Sequence, residues 1–143
     1  MSHRSIALVD VSYAFALRWH RPATAEVNDA ARDTLLAINR IRNQVDHVIC
    51  CLDAPPYNRA AVFAAYKGTR DPESEQMRAQ KRALRAALKR EGYQMARAEG
   101  YEADDIIATL ALALFLLGPS LRLAPLGLPA LFFLVEPCAH LPP

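Results

Sequence analysis

The sequence predicts an α/β fold built on a parallel sheet, and three observations predict it. Ser5–Val9 (SIALV) and His47–Leu52 (HVICCL) are short continuous apolar runs, as expected of strands buried on both faces. Each run is followed at once by an aspartate, Asp10 and Asp53. Between them, Val27, Ala31, Leu35, Ile38 and Ile41 recur at helical spacing over residues 27–43. Strand–helix–strand is the grammar of a parallel sheet.

The remaining elements follow in order. Ligands of parallel sheets gather at the carboxyl ends of the strands, where both aspartates are expected. Asp71-Pro72 predicts a helix start, a capping side chain followed by proline at the first helical position. That helix is expected to run to about Arg90, with Gly92 as its stop. Tyr93–Ala98 reads as a third strand, and Gly100-Tyr101 turns into a helix from Glu102 to about Leu114. Ile106–Leu117 is almost wholly apolar, but Gly118-Pro119 breaks it short of the ~20 residues a membrane span needs. The expectation there is a buried helix followed by poorly folding sequence, and no membrane partner.

Composition narrows the class. With 143 residues, 52% of them hydrophobic, the chain suits one domain with a real core, which excludes disorder for most of its length. The formal charge of +2 is too small to indicate nucleic acid, so the distribution must decide. Cys50, Cys51 and Cys138 are odd in number and two are adjacent, which excludes a disulfide framework and predicts a reducing, cytoplasmic setting. The apolar run before Asp10 is too short for a secretory signal. Residues 106–143 carry only Arg122 and Glu136 as charges yet six of the ten prolines, so two compositions meet in one chain.

Chemistry concentrates in Gly100-Tyr101-Glu102-Ala103-Asp104-Asp105. Three carboxylates at a helix start complement the helix dipole and cap it, which is the bland reading. Together with two strand-terminal aspartates they would repel strongly unless a cation or protons intervene. Oxygen-only ligands select hard metals, Mg²⁺ or Mn²⁺. On the ligand chemistry the metal site outweighs the cap. Residues 59–97 add ten basic residues against four acidic ones. Arg78, Arg82, Arg85 and Lys89 form one helical stripe, with Met77, Leu84 and Leu88 expected to face the core. A solvated helix face and a phosphate-binding face explain that stripe equally well. There is no Gly-rich phosphate loop and no zinc-type Cys/His spacing. His3, His20, His47 and His140 lack a nucleophile motif nearby and read as structural or surface residues, and Trp19 as core.

These residues together resemble the N-terminal part of the bacterial 5′-nuclease domain, the PIN-like flap-endonuclease and 5′–3′ exonuclease family that accompanies family A DNA polymerases. Four blocks carry the resemblance, in the right order from about residue 5 to 111. They are Leu8-Val9-Asp10 with Ser12 and Arg18-Trp19-His20; Cys51-Leu52-Asp53-Ala54-Pro55; Arg59 and Phe63 with Tyr66-Lys67-Gly68-Thr69-Arg70-Asp71-Pro72; and Glu99 through Ala111. Val11 departs from the glycine that often follows the first aspartate.

The resemblance implies a PIN-like, Rossmann-like fold. Asp10, Asp53, Glu102, Asp104 and Asp105 would be its metal-holding carboxylates. Lys67 and Arg70 would lie near the scissile phosphate, accompanied by Arg59 and Tyr66. It implies DNA 5′ ends, flaps and branched structures as partners; the oligomeric state stays open. After Ala111 the family continues with further aspartates and a DNA clamp, which residues 112–143 do not supply. The expectation is therefore a truncated nuclease over residues 1–111, with an aberrant Leu/Pro-rich tail over residues 112–143 from a shifted frame or a degraded gene end, and weak or no turnover. A non-catalytic DNA-binding remnant and a nonfunctional truncated product are the alternatives.

Overall fold

The computed structural model describes residues 5–21, 29–69, 71–117, 121–125 and 132–137. Arg70, Val27, His3, His140 and Cys138, each named above, lie outside the described residues. The first apolar run forms β1 (Ile6–Asp10) and the second β2 (His47–Cys51), paired parallel with Leu8 opposite Ile49 and Asp10 opposite Cys51. β3 (Gln94–Ala96) continues the parallel sheet beyond β2, with Cys50 opposite Met95. The α/β, parallel-sheet expectation is met.

Period-two geometry explains why β1 reads as unbroken apolar sequence. Ala7 and Val9 enter one core, Leu8 the other, because the sheet is covered on both faces. The larger core holds α1 (Val11–Trp19), α2 (Ala30–Arg42) and α4 (Glu75–Arg90) against the sheet. Phe15, Ile38 and Leu88 are fully buried there. In α2, Ala30, Thr34, Ile38 and Ile41 are buried at successive turns, the amphipathic stripe seen in the sequence. Gln80 Oε1 of α4 accepts the Ala31 N–H at 3.1 Å, tying these two helices together. The opposite face is covered by α5 (Ala103–Leu117) through Ala103, Ile107 and Ala111.

Several boundaries differ from expectation. α4 starts at Glu75, not at Asp71-Pro72, because the Ser74 hydroxyl oxygen accepts the Met77 N–H at 3.1 Å and so caps the helix. Gly92 ends it as expected, at φ +76°, a left-handed conformation in which glycine has no Cβ to clash. α1 was not anticipated; it begins directly after β1, capped by Asp10. A short α3 (Asn58–Val62) precedes the 63–69 turns. α5 is not buried all round: only one face meets the sheet, leaving Leu112, Phe115 and Leu116 exposed. It runs unbroken past Ala111, so the expected domain boundary falls inside a helix. Beyond it, β4 (Leu121–Pro125) and β5 (Phe132–Pro137) pair antiparallel, and β5 pairs antiparallel with β1. The sheet order is β3-β2-β1-β5-β4. No helix among the described residues is long and apolar enough to cross a membrane.

Candidate active site

Parallel pairing sends the carboxyl ends of β1 and β2 to one edge of the sheet, and this brings Asp10 and Asp53 to that edge. The start of α5 is locked onto the same edge by main-chain hydrogen bonds. Ala54 N–H donates to Tyr101 O at 3.0 Å, Gly100 N–H to Ala54 O at 2.9 Å, and Asn58 N–H to Gly100 O at 2.9 Å. Gly100 makes this approach possible: its φ is +82°, and a Cβ there would lie 2.4–2.6 Å from the Asn58 side chain.

The five acids thus meet at one edge, in two groups. Asp10 is 5% exposed, and its carboxylate accepts the Tyr13 N–H at 2.8 Å. Burial, reinforced by the nearby Asp53 and Asp104 charges, pushes the Asp10 carboxyl up to about 6, against the lowering effect of the Tyr13 hydrogen bond. Asp53 Oδ1 accepts the Ala103 N–H at 2.8 Å, at the first turn of α5. Asp104 is exposed and turned toward Asp10.

Glu102 and Asp105 form the second group. Glu102 is 5% exposed and receives three donors: the Lys67 ammonium, the Arg59 guanidinium and the Tyr66 hydroxyl. Arg59 also reaches Asp105, so these two acids share a face, as their spacing implies. Asp105 Oδ2 accepts the Glu102 N–H at 3.0 Å. Asp53 and Asp105 therefore also act as helix caps, so the bland reading of the sequence is part of the answer. Lys67 adopts φ +58°, a left-handed conformation rare outside glycine. Its ammonium also lies 4.3 Å from the Tyr57 ring centroid, and Tyr57 packs edge-on against Tyr66.

The donor set is all oxygen, and burial, with the Asp53 and Asp104 charges nearby, raises the Asp10 carboxyl; oxygen donors of this kind suit a hard divalent cation. With Glu102 and Asp105 engaged by Arg59, Lys67 and Tyr66, no three His, Cys, Asp or Glu side chains among the described residues stand ready to hold one ion.

The basic stripe of α4 is less uniform than its sequence implies. Glu75 pairs with both Arg78 (3.0 Å) and Arg82 (2.8 Å), so two of the four basic residues of the stripe carry an acid partner. The acid sits one turn before Arg78 and two before Arg82, so the signal was present. Leu84 and Leu88 are buried and Met77 half-buried, as expected; Arg85 and Lys89 are exposed. Sequence reasoning missed Lys81, which pairs with Glu73 and lies 5.7 Å from the Phe15 ring centroid. It also missed Tyr57. His20 and His47 are exposed, and Trp19 packs on Phe15 at the edge of the core.

A family model described as the 5′-3′ exonuclease, N-terminal resolvase-like domain matches residues 9–115. That span contains all five acids and Arg59, Tyr66 and Lys67. Among curated proteins no match is found.

Proposed function

Since the chain belongs to the family of 5′-3′ exonuclease N-terminal, resolvase-like domains and carries a nuclease domain of that kind, we propose that it hydrolyses DNA phosphodiesters at 5′ ends and flaps with divalent metal, Mg²⁺ or Mn²⁺. The observation that carries this reading is the meeting of five acids from β1, the loop after β2, and the start of α5 with the residue before it, with Arg59, Lys67 and Tyr66, at one sheet edge.

Asp10, Asp53 and Asp104 are the primary ligands, with Glu102 and Asp105 completing the set once released. Divalent ions held there would supply activation of water and neutralisation of phosphoryl charge. The chain's own residues do the rest. Lys67 and Arg59, bound to Glu102 without substrate, transfer to the phosphate oxygens and stabilise charge that develops there. Tyr66 hydrogen-bonds and orients the same phosphate. Arg70 is proposed to join them. Arg85 and Lys89, with Arg78 and Arg82 once they leave Glu75, track the strand through phosphate contacts without reading sequence.

Turnover is proposed to be slow, because Glu102 starts out engaged by Arg59, Tyr66 and Lys67. The partner-held state of Glu102 favours a second reading, a domain that binds DNA without cutting it. Cleavage of a labelled 5′-flap oligonucleotide in Mn²⁺ separates the two. Slow, metal-dependent cleavage that Asp104→Ala abolishes supports the nuclease. Salt-sensitive binding with no cleavage at any metal concentration supports the binding module.

A further inference from the structure

The Lys67 ammonium sits between two tyrosine rings, 4.3 Å from the Tyr57 centroid and 5.4 Å from that of Tyr66. The rings themselves meet edge to face, with 6.3 Å between centroids. A ring face is the negative end of its quadrupole, so two faces around an ammonium attract it as an aromatic cage does. The Lys67 side chain is 22% exposed, and this attraction grows as water is removed. Tyr57 offers the closer face. The Tyr66 ring is also shared, with the Arg59 guanidinium 5.9 Å from its centroid.

The two tyrosines differ in what holds them. The Tyr66 hydroxyl donates to Glu102, so its placement depends on that carboxylate. Tyr57 stands directly before α3 and is placed by main-chain bonds on either side. Ala54 N–H donates to Tyr101 O at 3.0 Å, Asn58 N–H to Gly100 O at 2.9 Å, and Ala60 N–H to Tyr57 O at 3.0 Å. Those bonds need no carboxylate. Lysine has a long flexible stem, so an ammonium whose acid partner turns to a cation would otherwise swing into water. A neutral ring does not compete for that cation. It also leaves ammonium N–H donors able to reach a phosphate oxygen.

We infer that Tyr57 is a positioning residue of the proposed cleavage: its ring keeps the Lys67 ammonium beside the acid edge once Glu102 is released. The inference rests on the nuclease reading above.

The chain has three lysines, Lys67, Lys81 and Lys89, so NMR of the full-length protein labelled at lysine Cε resolves each of them. Protons above a ring face are shielded, and Lys89 is exposed and serves as the reference. In metal-free Glu102→Gln, which removes the carboxylate charge, the Lys67 Cε protons should stay upfield of those of Lys89. Adding Tyr57→Phe should keep that shift, and adding Tyr57→Leu, which keeps apolar bulk without a ring, should abolish most of it. With Glu102 intact, Tyr57→Leu should slow single-turnover flap cleavage in Mn²⁺ about fivefold at unchanged flap affinity, and Tyr57→Phe should recover most of the rate. Loss of the upfield shift in Glu102→Gln alone, its survival in the Tyr57→Leu double variant, or a rate that Tyr57→Phe fails to recover overturns the role of Tyr57. Wild-type cleavage beside any of these results overturns that role alone. No cleavage by the wild-type protein overturns the nuclease reading and the inference with it.

Discussion

The Lys67 ammonium rests on the Glu102 carboxylate, joining the turn after α3 to the residue just before α5 across 35 positions of sequence. Lys67 holds this contact from a left-handed backbone conformation that costs a non-glycine residue about 1–2 kcal/mol. A basic residue thus occupies an acid of the proposed metal set. Lys67→Met should raise Mn²⁺ affinity, since an ammonium no longer competes for Glu102, and lower flap cleavage by about tenfold or more. Calorimetric metal titration beside single-turnover cleavage checks both halves. A fall in metal affinity would show that Lys67 supports the site rather than competing for it.

Asp10 makes the apo protein pH-sensitive. Burial pushes its carboxyl up to about 6 from the ordinary 3.8, so the native state binds more protons between the two. The Asp10 contribution to stability is therefore most favourable below about pH 4, falls as pH rises to about 6, and carries the full cost above it. Two pKa units correspond to about 3 kcal/mol. Asp10→Asn, which keeps an oxygen to accept the Tyr13 N–H, should stabilise the apo protein at pH 8 by up to that amount. It should also abolish stabilisation by Mn²⁺. Urea unfolding of both proteins at pH 4 and pH 8 reads the effect, and an equal gap at the two pH values would contradict it.

Gly100 and Gly92 both have positive φ, but only Gly100 has a neighbour in the way. Gly92→Ala should cost about 1 kcal/mol, the backbone penalty alone. Gly100→Ala should cost more, because the Asn58 side chain must move, and Asn58→Ala should remove the excess. A double-mutant cycle measures this coupling; additive costs would mean the Asn58 contact is harmless.

Glu75 holds Arg78 and Arg82. Glu75→Gln should free them, tighten DNA binding and steepen the slope of log affinity against log salt by about one to two. Fluorescence anisotropy at several salt concentrations decides. An unchanged slope would take these arginines out of the DNA face.

Burial pushes the Cys50 and Cys51 thiols up to about 12. In a Cys138→Ser background both should resist a disulfide reagent at pH 8 until the protein unfolds. Prompt reaction of the native protein would show that the sheet opens locally.

Legibility followed the range of the interactions involved. The β1 and β2 runs, the α2 stripe and the Gly92 stop each depend on a few neighbouring residues, and all were readable. α1 was not, because Asp10 is both the end of a strand and the cap of the next helix, a double role that no local pattern announces. The start of α4 shifted from Asp71 to Ser74 because two capping candidates stand three residues apart and only the folded chain shows which one closes on an N–H. The acid motif at 102–105 was conspicuous, yet its division into an Asp10 group and an Arg59–Lys67 group was not.

Sequence alone determined the identity of the charged groups, the β1–α2–β2 succession, and the family likeness, since periodicity and motif spacing are properties of the linear chain. Tertiary structure decided which charges meet. Glu102 could cap a helix, bind a cation or pair with a base, and what selects among these is the position of Lys67, Tyr66 and Arg59 across a loop closed by packing. Such contacts depend on distances of a few ångströms between remote segments, which the folded sheet sets and sequence spacing does not encode.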